Sequence, residues 1–179
     1  MIVFFGPAGA GKSMQGQILA ARHGWRWISA GNLLRESKDQ EIRETIARGD
    51  LVNPEQIGAL MIKAINDAER NGVDVILDGW PRSLEQAKML TEYERNGGAK
   101  LTAAVLITVP KEEIMARMKI RGRSDDMNPA ALQKRLEIFA NNMQPLLDYY
   151  DSEGVKVVKI NGVGTVGKIH DEIEEALES

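Results

Sequence analysis

The sequence predicts an α/β protein: a five-stranded parallel sheet with helices on both faces. Two observations predict it. Short apolar runs of strand type alternate along the chain with longer stretches of helical pattern, the rhythm of a parallel sheet covered on both sides. The first apolar run also passes directly into a glycine-rich turn, Gly6-Pro7-Ala8-Gly9-Ala10-Gly11-Lys12-Ser13, ahead of a helical stretch.

The elements follow in order. Residues 2–5, IVFF, read as a buried strand and 13–23 as a helix. Residues 25–28, WRWI, form a second strand. Residues 29–71 are mostly helical and offer no strand, so they read as an insertion. Strands are then expected at 73–77, 101–109 and 156–160, and helices at 83–96, 111–121, 129–152 and 165–177. Pro145 falls inside the helix at 129–152 and is expected to kink or split it. The polar run GRSDDMN, 122–128, separates two helices. No repeat or linker divides the chain. The expected organisation is one domain over 1–179, with a core of 1–28, 72–120 and 130–179, an insertion at about 29–71 and a short connecting segment at about 121–129.

The chain has 179 residues, 43% hydrophobic and 27% charged, with a net charge of −3. This balance argues against a general nucleic-acid or membrane-surface binder, so any cationic site must be local. The absence of cysteine excludes disulfides, thiolate zinc sites and thiol catalysis. The first apolar run is too short for a signal peptide and lacks a basic flank. No run approaches the roughly 20 apolar residues of a membrane span. A cytoplasmic protein is expected.

The turn at 6–13 matches G-x-x-x-x-G-K-[ST], the P-loop pattern. Phosphates are bound there by backbone N–H groups, which side chains would obstruct, so glycine recurs. The following helix points the positive end of its dipole at the same anion. Lys12 adds a point charge for the β- and γ-phosphates, and Ser13 offers a hydroxyl to Mg²⁺. Asp78 follows the apolar run ending at Leu77, where a carboxylate at a strand's C-terminal end faces the ligand crevice and holds Mg²⁺ through water. An Asp-Gly hairpin is the competing reading of that place, and Pro81 with the helical pattern beyond argues against it.

Arginines bear on the reaction class. Arg35, Arg82, Arg117, Arg121, Arg123 and Arg135 fall in or beside irregular stretches. Each alone would read as a solvated surface charge. Together, on an acidic chain with a P-loop, they suggest clamps on more than one phosphate chain. No residue stands out as a base; His23 and His170 are isolated in sequence. A phosphate acceptor needs none, being already an anion at neutral pH. Positioning and charge neutralisation then carry the catalysis.

With these residues in view, the chain resembles the nucleoside monophosphate kinases, most closely the adenylate kinases with a short lid. The matching stretches are GPAGAGKS at 6–13, ISAGNLLR at 28–35, GDLV at 49–52, LDGWPRSLEQ at 77–86, RGRSDD at 121–126 and KRL at 134–136. The resemblance implies a P-loop NTPase-like core, a nucleoside monophosphate-binding insertion, a lid, and the reaction MgATP + AMP ⇌ 2 ADP. It implies ATP on Gly9, Ala10, Gly11, Lys12, Ser13 and Met14, with Arg117 on the adenine and the 161–164 loop, including Gly164, beside it. It implies AMP held at Ala30, Arg35, Leu51, Val52, Gly79, Arg82, Gln86, Arg123 and Arg135, with Gln86 reading the base. Lys12, Arg82, Arg121, Arg123 and Arg135 would act on the transferred group. Ser13 and Asp78 would serve Mg²⁺, and Asp125 and Asp126 would help the lid close. The implied partners are ATP and AMP, with no nucleic acid or membrane, and the implied state is a monomer.

Several positions depart from the family pattern. The loop's proline stands at Pro7, ahead of Ala8-Gly9. Ser13-Met14 replaces Gly-Thr, Ala30-Gly31-Asn32 replaces Thr-Gly-Asp, and Trp80 replaces Phe or Tyr. Ala30 is similar to UMP/CMP kinases, which remain the alternative at this point. A nucleotide switch lacks its Asn-Lys-x-Asp signature here, and a scaffold without catalysis sits poorly with Lys12 and six retained arginines.

Overall fold

The computed structural model describes residues 1–121 and 128–178, the side chain of Arg121 apart. The expectations for Arg121, Arg123, Asp125 and Asp126, and for most of the 121–129 segment, lie outside the described residues.

Five strands form one sheet: β1 (Ile2–Phe5), β2 (Arg26–Ser29), β3 (Val75–Asp78), β4 (Ala103–Thr108) and β5 (Lys156–Asn161). Their spatial order is β2-β3-β1-β4-β5, and every pairing is parallel. β1 pairs with β3 on one side, Phe4 opposite Asp78, and with β4 on the other, Phe4 opposite Val105. The chain therefore leaves β1 toward one edge and returns to build the other. The crevice beyond the carboxyl end of β1 is the switch point where such sheets bind ligands.

Side-chain alternation divides the core between the two faces. Val3 and Phe5 point to one side, into a cluster with Met61, Ile65, Leu90, Leu146 and Tyr150. Ile2 and Phe4 point to the other, among Leu19, Ile76, Ile107, Ile169 and Ile173. Helices α1 (Lys12–His23) and α8 (Val166–Glu178) cover this second face. Helices α4 (Pro54–Glu69), α5 (Leu84–Arg95) and α7 (Pro129–Ser152) cover the first. A smaller cluster joins α6 (Lys111–Arg121) to α7 through Ile114, Met118 and Leu132.

Residues 30–69 fold as three helices: α2 (Ala30–Glu36), α3 (Gln40–Ala47) and α4. Side-chain caps explain the breaks. Ser29 accepts from the Asn32 N–H, Asp39 from Glu41 and Ile42, and Asn53 from Glu55 and Gln56 ahead of Pro54. One expectation needs correcting. α7 runs as a single helix with Pro145 inside it, so the proline does not split it. Pro145 costs a hydrogen bond, but Leu146, Leu147 and Tyr150 beside it are 0%, 5% and 0% exposed, and this packing holds the helix together.

Candidate active site

The P-loop joins β1 to α1 beneath the crevice. Gly9 and Gly11 take φ of 83° and 97°, backbone that L side chains rarely adopt. Gly6 is fixed by contact as well: a Cβ there would lie 2.7 Å from the Ile107 carbonyl oxygen on β4. α1 begins at Lys12, with Gly11 as its cap and no side-chain cap bond, in contrast to α2, α3 and α4. No side-chain cap competes for its first amides, the arrangement in which a helix N-terminus receives an anion. Lys12 Nζ donates to the carbonyl oxygens of Gly6 and Pro7 at 2.7 and 2.9 Å, folded over its own loop. Ala10 is buried, whereas Met14 is 54% exposed.

Ser13 Oγ donates to Asp78 Oδ2 at 2.6 Å. Asp78 ends β3 and is 3% exposed, which places its carboxyl beside the loop as the strand reading requires. The pair offers oxygen donors alone, the set a hard divalent cation or its water shell takes, so these residues fit Mg²⁺.

One cleft runs from Lys12, Ser13 and Asp78 to α2, the 49–52 loop, the turn 79–82, Gln86 and the inner face of α7. Two arginines in it rest on glycines. Arg35 Nη2 donates to Asn32 Oδ1 at 2.7 Å, and its guanidinium lies over Gly31, where a Cβ would stand 3.1 Å from it. Arg82 Nε donates to the Gly79 carbonyl at 2.6 Å and lies over Gly79, whose absent Cβ would stand 2.9 Å away. Gln86, 2% exposed, accepts the Arg82 N–H at Oε1, 2.7 Å. Its amide oxygen keeps one lone pair and its NH₂ stays a donor, so bidentate pairing with a base edge requires sharing that oxygen. Asn142 Nδ2 donates to the Arg82 carbonyl at 3.0 Å. Ala30 and Val52 are buried and Leu51 half-buried in the same wall.

α7 closes the opposite side. Arg135 donates to the Ile46 carbonyl at 3.0 Å, Lys134 pairs with Asp50, and Gly49 packs on the Ala131 main chain, with room for no Cβ. The hydrogen bond from Lys134 holds the Asp50 carboxyl below its ordinary value. Elsewhere Arg117 donates to Glu113 at 2.7 Å and to the Gly162 carbonyl at 2.8 Å, which seats it against the loop that contains Gly164.

Sequence reasoning missed the inner face of α7 beyond Arg135. Phe139, Asn142 and Met143 line the cleft. Helical spacing from Arg135 was the available signal, since i+4 and i+7 share its face. Nor are the histidines isolated in space. His23 Nε2 and His170 Nε2 both face Glu174 Oε1, at 3.1 and 3.4 Å, away from the cleft.

Comparison with known proteins agrees with this geometry. The family model described as adenylate kinase matches residues 4–155. The chain is 36% identical to an adenylate kinase of Thermus thermophilus over 98% of its own length and 96% of the relative's. It is 33% identical to one from Parabacteroides distasonis, with 98% and 96% covered, and 35% identical to one from Mycolicibacterium vanbaalenii, with 99% and 97% covered. A P-loop on the central strand, a serine–aspartate pair beside it and three arginines around one cleft thus meet a full-length match: the chain belongs to the adenylate kinase family, and is an enzyme that transfers phosphoryl groups between nucleotides.

Proposed function

We propose that this enzyme catalyses MgATP + AMP ⇌ 2 ADP, as a cytoplasmic monomer. The observation that carries the reading is the single cleft that holds Lys12 at one end and Arg35, Arg82 and Arg135 around the other. Two anions must meet there, and four cations offset their repulsion.

The loop amides and Lys12 hold the ATP phosphates, and Lys12 exchanges its carbonyl partners for phosphate oxygens. Ser13 and Asp78 hold Mg²⁺ or its waters; when bound, the ion neutralises charge on the ATP phosphates. Arg35 and Arg82 grip the AMP phosphate, which is an anion at neutral pH and needs no base. Arg135, with Arg121 and Arg123, neutralises the charge spread over the transferred group. Arg117 and the 161–164 loop border the ATP base. Gln86, Leu51 and Val52 take the acceptor base, where the names of the relatives favour adenine over a pyrimidine.

The test is incubation of the protein with MgATP and, separately, AMP, CMP, UMP and GMP, with diphosphate formation as the readout. The highest kcat/KM is expected with AMP. A preference for CMP or UMP would replace this reading with a pyrimidine kinase, and no diphosphate from any acceptor would leave a binding protein.

A further inference from the structure

The turn that carries Arg82 is held on both sides of that residue by side chains. Its N–H is taken by Gln86 of α5 at 2.7 Å, and its carbonyl by Asn142 of α7 at 3.0 Å. Asn142 is half-buried and lines the same cleft. It lies seven residues after Arg135, two helical turns or about 10 Å along one face of α7. Phe139 lies between them on the cleft wall. The helix that presents Arg135 to the cleft therefore also grips the main chain of Arg82.

We propose that Asn142 is a positioning residue for acceptor binding: its hydrogen bond to the Arg82 carbonyl fixes the Arg82 main chain against α7, so that Arg82 and Arg135 meet the acceptor phosphate as one unit. The inference rests on the acceptor role of Arg82 proposed above. A bond of merely structural importance would lower the melting temperature and leave the kinetic constants alone. A positioning bond shifts the acceptor constant and spares the other substrate.

The experiment is a double-mutant cycle. Asn142→Ala, and the near-isosteric Asn142→Leu, are combined with Arg82→Ala, and each variant is assayed for KM of AMP, KM of ATP, kcat, monophosphate binding by calorimetry and thermal unfolding. Removing one neutral hydrogen bond is expected to raise KM for AMP about three- to tenfold in both Asn142 variants, with KM for ATP and the melting temperature unchanged. In the Arg82→Ala background the same change is expected to have no further effect. An unchanged KM for AMP in the single variants, or the same factor in both backgrounds, overturns the proposal. A parent that binds a monophosphate without phosphorylating it overturns the reaction proposed above, while the cycle on Kd still decides the role of Asn142.

Discussion

Ser13 Oγ and Asp78 Oδ2, 65 residues apart in the chain, meet at 2.6 Å across the gap between α1 and β3. The hydroxyl sits directly after Lys12, and the bond aims it at the carboxyl that ends the neighbouring strand. Ser13→Ala should therefore raise the Mg²⁺ concentration for half-maximal activity several-fold, while ATP binding in the presence of a chelator stays near that of the parent. The variant also leaves the buried Asp78 short of a partner and should lose about 1–3 kcal/mol of stability. Mg²⁺ titration of activity, calorimetry with metal-free ATP and chemical denaturation check the three parts. Identical Mg²⁺ requirements would remove Ser13 from the metal role.

Lys12→Ala should lower kcat by several orders of magnitude with the fold intact. Its bonds to the Gly6 and Pro7 carbonyls stay within its own loop, and the sheet is held by its own strand pairings. Circular dichroism with steady-state kinetics checks this. Near-normal turnover in a folded variant would contradict the role.

Gly31→Ala should move stability and acceptor affinity in opposite directions. Gly31 lies inside α2 and shows no positive φ, so alanine should stabilise the helix by about 0.5–1 kcal/mol. The added Cβ would stand 3.1 Å from the Arg35 guanidinium and push it off its seat. KM for AMP should rise while the melting temperature holds or rises. A parallel fall in both would mean that the glycine serves the helix alone.

Gln86→Glu separates two roles of one side chain. The carboxylate can still accept the Arg82 N–H, but it cannot donate to a base. The expected loss is about 1–3 kcal/mol in kcat/KM for AMP, beside a lower melting temperature from the carboxylate placed at a side chain 2% exposed. A change confined to stability would limit Gln86 to holding the Arg82 turn.

Asp50 should titrate below its ordinary value of 3.8, because Lys134 hydrogen-bonds its ionised form. The sign follows from linkage. A depressed carboxyl pKa in the folded state makes the pair's contribution complete above 3.8, and it fades as pH falls through the folded value. Carbon-13 NMR of the carboxyl should show a low midpoint that moves up toward 3.8 in Lys134→Met. A midpoint at or above 3.8 in the parent would contradict the pairing.

The sheet was legible because parallel strands buried on both faces read as apolar runs such as IVFF at 2–5 and VIL at 75–77. Edges were less legible. β2 begins at Arg26 rather than Trp25, since the Arg26 N–H pairs with Asp74. The P-loop and Asp78 were legible because their chemistry is local in sequence. The arginine seats on Gly31 and Gly79 were not, because no pattern announces that a missing Cβ makes room for a guanidinium. Asn142 was hidden for another reason. A polar residue on an amphipathic helix reads as solvent-facing until a partner from another element meets it, and Arg82 is 60 residues away. Pro145 misled in part: local propensity allowed a kink or a split, and the helix runs unsplit through it, with Leu146 and Tyr150 buried beside it.

The small cluster of Ile114, Met118 and Leu132 fastens α6 to α7 beside the segment that joins them, and Gly49 fastens the start of α7 to the opposite wall. Both attachments are made by residues outside 122–127. The connector is thus a natural graft point. A foreign loop of double the length would add only about 0.6 kcal/mol of closure entropy, so a designer could lengthen the connector around its own arginines and leave the seam between the two helices as it is.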